Sequence, residues 1–231
     1  MLRYGATFIF ILSCCLLLES SCQLLETQSN FFNKTTRDSI AQKYVTQQIE
    51  QELKKNEVIA NFKTRDVDFL KKEFANFYKH TNNQLGWQNV IARGLSEQAK
   101  VFIKMLQSAE NQGLTSKKYQ LSDIQKLVNE LYSPFQPERE NQVEQMAALD
   151  TKLTASAISY LTDVYSGSIK GGYNWEYPSK EQAIGEPLIK AIRYGGIEKM
   201  AAGLSPTHKG FVGLEKKVTR YRKIAENGGW P

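Results

Sequence analysis

The chain contains 231 residues, of which 41% are hydrophobic and 11% aromatic, and its formal net charge is +6 at pH 7. This length suffices for one sizeable domain or two small ones, and the hydrophobic content excludes a disordered or collagen-like chain. A small excess of positive charge does not by itself indicate a nucleic-acid partner, and we expect none.

The N-terminus has the pattern of a bacterial secretory signal. Arg3 precedes an apolar run over residues 6–18, which is shorter than the roughly 20 residues that a membrane-spanning helix requires. Two serines then precede Cys22, an arrangement that resembles the lipobox of bacterial lipoproteins, in which the cysteine is acylated and becomes the mature N-terminus. We therefore predict a lipoprotein-type signal peptide over residues 1–21 and lipidation at Cys22.

An alternative reading of the leader stays open. Glu19 stands where the lipobox usually has an aliphatic residue, and the run from Ile11 to Cys14 also fits the lipobox letters. An ordinary cleaved signal with an incidental cysteine would explain the same residues. Both readings predict a bacterial cell-envelope protein that faces the periplasm, either lipid-anchored or secreted into that compartment.

The residues that could carry chemistry are few. All three cysteines, Cys14, Cys15 and Cys22, lie in or directly after the leader, so cleavage before Cys22 leaves no free thiol and no internal disulfide. The two histidines, His80 and His208, are far apart in the sequence and lack ligand-spaced partners. The sequence contains no zinc-ligand spacing, nucleophile elbow or phosphate-binding loop. We therefore predict no catalytic residue, no metal and no cofactor in this chain.

Residues 22–64 are predicted to form a helical extension or tether. Apolar residues recur at Ile40, Tyr44, Ile49 and Leu53, close to the 3.6-residue period of an amphipathic helix. Gln, Lys and Glu occupy most of the positions between them, which is typical of a solvated helix face.

The remaining chain predicts a multi-helix, bundle-like all-α scaffold, since no segment shows convincing strand alternation. Ser96 is a predicted N-cap for a helix that ends at Gly113. Ser122 with Gln125 resembles a capping box for the next helix. After two prolines, a longer helix is predicted from about residue 138 until Gly167 stops it.

The last predicted helix carries an apolar stripe that we expect to face the core. Its members, separated by three or four positions, are Phe211, Leu214, Val218, Tyr221 and Ile224. Gly228 is the predicted C-terminal stop. Two polar residues are expected to serve local structure, His208 at the N-terminus of this helix and Thr154 as a helix cap or turn residue.

Three stretches of this domain carry a family resemblance. They are FYKHTNNQLGW over residues 77–87, LTASAISYLTDVYSGSI over residues 153–169, and LSPTHKGFVGLEKKVTRYRKIAENGGWP over residues 204–231. In order and spacing they resemble the scaffold region of the large periplasmic murein L,D-transpeptidases. The resemblance covers about residues 65–231, so it implies the N-terminal scaffold domain of that family and predicts that domain over this range.

The resemblance also implies a function. In that family the helical scaffold supports a peptidoglycan-binding module and a catalytic domain with a cysteine nucleophile and a nearby histidine. The stretch from Gly228 to Pro231 resembles the point at which the family's chain leaves the scaffold for those domains, and no residue here matches a catalytic position. The implied protein is a scaffold for cell-wall cross-linking, inactive alone, as a truncated form or a non-catalytic partner.

The expected partners follow from that reading: a catalytic L,D-transpeptidase domain, peptidoglycan, and a membrane reached through the N-terminal lipid. A second class of function stays open beside it. The chain would then be a non-enzymatic helical envelope lipoprotein that binds an anionic polymer or a partner protein.

Overall fold

A computed structural model of the chain describes residues 43–55, 57–62, 66–89, 94–133, 142–168 and 182–230. By its contacts the chain divides into two compact units, Met1–Lys43 and Tyr44–Pro231, and Lys43 is the only described residue of the first. The predicted signal peptide, the lipidation site Cys22 and most of the predicted extension therefore lie outside the described residues. Every other described residue belongs to the second unit.

The described part of the chain is all-α, as predicted. Its helices are α1, described over residues 43–55, α2 Glu57–Ala60, α3 Val67–Thr81, α4 Glu97–Ser108, α5 Leu121–Tyr132, α6 Gln142–Ser166, α7 Gly185–Tyr194, α8 Ile197–Leu204 and α9 Lys209–Glu226. Two 3-10 turns, Ala109–Gln112 and Ser116–Tyr119, connect α4 to α5. Within the described ranges, the only strands are the two-residue β1 Gln88–Asn89 and β2 Gly94–Leu95, which pair antiparallel.

Helix α6 lies at the centre of the fold and contacts α2, α3, α5 and α8. Almost every residue between Met146 and Asp163 is buried, on all sides of the helix. Many of these residues are Ala, Ser or Thr, whose small side chains let the neighbouring helices approach closely. Large aromatic side chains from the surrounding elements belong to the same buried cluster, among them Tyr78, Trp87, Phe102 and Tyr119.

Several predicted helix ends are confirmed, and one is wrong. Ser96 caps α4, because its Oγ accepts a hydrogen bond from the Ala99 amide at 3.2 Å. Gly167 ends α6 with a positive φ of 81°, a conformation that suits glycine. The predicted capping box at Ser122 is absent, since α5 begins one residue earlier, at Leu121, after Gln120 in the left-handed conformation.

Helices α1 and α2 lie within the segment predicted to be an extension, and they pack on the core. Val45 and Ile49 of α1, Ile59 of α2 and the following Phe62 are all buried in the same hydrophobic cluster as the aromatic residues around α6. Tyr44, which belongs to the predicted stripe, is exposed. The compact unit thus includes the described residues from Tyr44 onward, while the predicted domain division at residue 65 stays a prediction.

Candidate functional site

The first two motif stretches meet in a buried hydrogen-bond network between α3, the turn before β1, and α6. The Trp87 indole Nε1 donates to Thr154 Oγ1 at 2.9 Å, and the Tyr78 hydroxyl lies 3.0 Å from the same oxygen. Tyr78 also bonds to Asp150 Oδ1 at 2.9 Å. The prediction that Thr154 is a cap or turn residue is wrong: it lies within α6, fully buried, and joins two aromatic side chains to that helix.

Asp150 fixes the turn before β1 to α6. Besides the bond from Tyr78, its carboxylate accepts bonds from the backbone amides of Gly86 at 3.2 Å and Trp87 at 2.9 Å. Burial raises the pKa of Asp150 to about 6, against the opposing effect of these donors. The carboxyl group is fully buried and bonded to three donors. It therefore has a structural role and does not act as an acid or base on an external substrate.

The hydroxyl of Tyr78 is held in the same network as a donor. Its pKa is raised well above the ordinary value, first by burial and then by the adjacent Asp150 carboxylate, so the phenol keeps its proton. Gln88, the next polar residue along the turn, donates to the Met146 carbonyl at 2.7 Å and accepts from the Tyr132 hydroxyl at 2.6 Å. The network therefore extends from α3 through the turn to α5.

A second polar cluster joins the 3-10 turn before α5 to the C-terminal half of α6. Asp163 accepts a hydrogen bond from the Tyr119 hydroxyl at 2.7 Å and pairs with the Lys118 ammonium at 2.6 Å. The Ser156 hydroxyl donates to the Tyr119 carbonyl at 2.9 Å. The Asp163 side chain is 2% exposed, so this buried ion pair connects the 3-10 turn to α6.

Two helix N-termini are capped by side chains from distant helices. The Glu73 carboxylate on α3 accepts bonds from the amides of Ile184 at 2.8 Å and Gly185 at 2.7 Å, at the start of α7. A side chain at position 185 would place its Cβ 2.6 Å from the Glu73 carbonyl oxygen, so the close approach requires glycine. In the same way, Gln98 on α4 accepts from the amides of Gly196 and Ile197 and caps α8.

Helix α9 differs from the helices that form these networks, because none of its residues is buried in the core. Leu214 is 63% exposed and Tyr221 is 53% exposed, so the prediction that the whole stripe faces the core is wrong at these two positions. The partly buried side includes Glu215 and Arg222 in addition to apolar residues. On this side Arg222 forms an ion pair of 2.7 Å with Glu110 of the 3-10 turn.

The C-terminal stretch continues the exposed surface of α9. Trp230 is 70% exposed, and its ring centroid lies 6.1 Å from that of Tyr221. His208 begins the helix, and its Nδ1 accepts a bond from the Gly210 amide at 3.1 Å, which confirms its predicted local role. His80, the other histidine, contacts the carbonyl of Asn76 one turn earlier in α3.

Within the described residues, no cluster of three or more His, Cys, Asp or Glu side chains could hold a metal ion. Over the same residues, no helix combines the length and the apolar character needed to cross a membrane. Sequence reasoning missed Asp150, Glu73 and Gln98 as organising residues. Only Asp150 offers a signal, since it is an acidic residue within a helical run that is rich in Ala, Leu and Thr.

The fold and the networks define a helical support, in which buried polar side chains attach the surrounding elements to the central helix. The basic helix α9 lies at the surface. The Scaffold domain family matches residues 72–217, which is more than half of the chain and includes the first two motif stretches from residue 77 onward. The chain belongs to this family, consistent with the scaffold domain of the L,D-transpeptidases. Searches of curated proteins and of solved structures found no match.

Proposed function

We propose that this chain is the helical scaffold of a peptidoglycan L,D-transpeptidase system and supports a catalytic domain that cross-links the cell wall. The observation that supports this proposal is the set of hydrogen bonds that the two motif stretches form. Their polar groups, Tyr78, Trp87 and Thr154, bond to one another and to Asp150 in the core. These residues therefore hold a shape, which is the task of a scaffold, and family membership supports the same role.

In this proposal the chemistry comes from the partner domain. The partner's cysteine attacks the tetrapeptide donor, releases its terminal D-residue, and passes the acyl group to an amine of a neighbouring stem. Residues 23–231 contain no cysteine, so this chain supplies position and not the nucleophile. A rigid support contributes by holding the catalytic domain and the glycan strand in a productive arrangement.

The proposed location is the bacterial cell envelope on the periplasmic side, with Cys22 acylated. The pattern of the leader, an apolar run followed by Cys22, supports this location. Truncation of a longer transpeptidase and partnership with a separate one are two forms of the same proposal. A catalytic reading frame next to the gene, in or out of frame, would distinguish them.

The experiment combines the chain with an L,D-transpeptidase catalytic domain from the same genome. Isothermal calorimetry measures complex formation, and mass spectrometry follows the cross-linking of purified tetrapeptide stems. We expect a saturable complex and faster cross-linking in the presence of the chain. Thr154→Val, which disrupts the network, should reduce the gain, whereas Thr151→Val should retain it because the Thr151 hydroxyl bonds only to carbonyls of its own helix.

Two results would contradict the proposal. One is the absence of both binding and rate enhancement at concentrations where the chain is folded. The other is cross-linking activity in the purified chain alone, which would mean that the chain carries a catalytic group of its own.

A further inference from the structure

Helix α9 differs from the other described helices in what it buries. Each of the helices α1 to α8 contributes at least one buried residue, whereas the 18 residues of α9 contribute none. Its sequence nevertheless contains apolar residues at regular intervals, including Leu214 and Tyr221, which are 63% and 53% exposed. Exposed apolar residues on an amphipathic helix indicate a surface that another molecule can cover.

Two exposed apolar residues, Leu214 and Tyr221, form a narrow strip along α9, whereas Val212, which is 40% exposed, lies on the opposite side of the helix. Leu214 and Tyr221 are seven positions apart, so they lie on the same side of the helix about two turns from each other. Trp230 extends the strip through its ring contact with Tyr221. Lys217 follows Leu214 by three positions and precedes Tyr221 by four, so it lies directly between them.

The charges of α9 are segregated around the helix axis. Five basic residues are exposed: Lys209, Lys216, Lys217, Arg220 and Lys223. The two acidic residues of the helix, Glu215 and Glu226, lie about 100° or more around the axis from Leu214 and Tyr221. Lys209, Lys216 and Lys223 lie about 140° or more around the axis from Leu214, so of the basic residues only Lys217 and Arg220 are next to the strip. The strip together with Lys217 and Arg220 is named here the α9 face, and it contains no acidic residue of this helix.

The composition of the α9 face indicates the class of surface that covers it. The centre of a protein–protein interface is depleted in charge and especially in lysine, yet Lys217 lies in the middle of this strip. At a lipid surface, a lysine can extend its amine to the headgroups while its stem lies beside apolar neighbours. Tyrosine and tryptophan are enriched at the same depth of a bilayer.

We propose that the α9 face lies flat on a bilayer of anionic lipids, with Leu214, Tyr221 and Trp230 in the interfacial region. Lys217 and Arg220 then contact the lipid phosphates, and the helix lies in the plane of the membrane. This inference goes beyond the proposed function and does not depend on it, because it concerns only the orientation of the scaffold at a membrane. It is also independent of acylation at Cys22.

The test uses residues 23–231, which include the whole compact unit Tyr44–Pro231 and exclude the apolar leader. The chain is sedimented with vesicles of equal parts phosphatidylcholine and phosphatidylglycerol, and with vesicles of phosphatidylcholine alone. We expect binding to the anionic vesicles that weakens as salt is added. A partition coefficient that is the same for both vesicles would overturn the proposal.

Matched charge reversals locate the contact. Lys217→Glu with Arg220→Glu should lower the partition coefficient roughly tenfold or more, since each basic residue near an anionic surface contributes about fivefold. Lys71→Glu with Lys79→Glu changes the net charge equally on an exposed part of α3 and should have much less effect. An equal loss in both pairs would mean that net charge and not the α9 face controls binding.

A third measurement reports the apolar strip directly. Vesicle binding should shift the Trp230 emission to the blue and expose it to quenching by brominated lipid, a signal that Trp230→Phe removes. Circular dichroism checks that each variant stays folded. Bound protein whose Trp230 is still quenched by acrylamide as in free solution would contradict the proposal, and so would binding to soluble polyglutamate without binding to the vesicles.

Discussion

The network around Thr154 gives the sharpest prediction about stability. Thr154→Val keeps the shape and the branching of the side chain but removes the hydroxyl that accepts the bond from the Trp87 indole at 2.9 Å. The Trp87 side chain is 0% exposed, so its N–H donor cannot turn to water. Tyr78 keeps its bond to Asp150. The buried indole N–H would then lack a hydrogen-bond acceptor, which should lower the free energy of unfolding by about 1–3 kcal/mol.

The assay is urea unfolding followed by circular dichroism, with Thr151→Val as the control on the same helix. The Thr151 hydroxyl is buried too, but it bonds only to the carbonyls of Ala147 and Ala148, which already serve the helix. We expect the control to cost less than Thr154→Val, because no donor loses its partner in Thr151→Val. Equal effects of the two substitutions would refute the reasoning, because the loss would then come from the threonine hydroxyl in general.

Three other predictions follow from the structure and the leader. The pKa of Asp150 is raised from 3.8 to about 6, so the folded state binds this proton more tightly than the unfolded state does. The free energy of unfolding should therefore fall as the pH rises from about 4 to 6. In urea titrations at a series of pH values, Asp150→Asn should remove this part of the pH dependence. Leu214→Ala and Trp230→Ala should change thermal stability little, whereas Leu153→Ala, in the core, should cost about 2–5 kcal/mol; equal losses would mean that α9 is buried. A metabolically incorporated fatty acid should label the wild type but not Cys22→Ala, and a label that survives would exclude Cys22 as the acylated residue.

The sequence predicts the class of fold well because its evidence is local. The Ser96 cap and the stop at Gly167 depend on neighbouring positions, and the structure confirms them. The role of Thr154 depends on Trp87, which is 67 residues earlier in the chain, and no local pattern reports that distance. A helix cap that comes from another helix, such as the one from Glu73, could not be predicted from the sequence for the same reason.

The error at α9 has a different physical origin. Periodicity shows that apolar residues share a side of a helix, but not how far the helix is turned about its axis when it docks. Here a mixed side that includes Glu215 and Arg222 is partly buried, and Leu214 and Tyr221 stay outside. The contacts on that side include Glu110, which bonds to Arg222 from 112 positions away, and the sequence alone could not identify such a partner.

The structural roles of the motif positions explain what membership in the scaffold family indicates about this chain. Tyr78, Trp87 and Thr154 are needed for the shape of the core whatever reaction the complete system performs. Their presence therefore supports the scaffold role and carries no information about a nucleophile. The reaction must be tested in the cell wall itself.

The central claim is tested most directly by muropeptide analysis of the bacterium with and without this gene. Liquid chromatography with mass spectrometry measures the fraction of cross-links formed from tetrapeptide donors with loss of the terminal D-residue. The scaffold role predicts that this fraction falls when the gene is deleted and recovers when the wild-type gene is supplied in trans. An unchanged fraction of these cross-links in the deletion strain would contradict it.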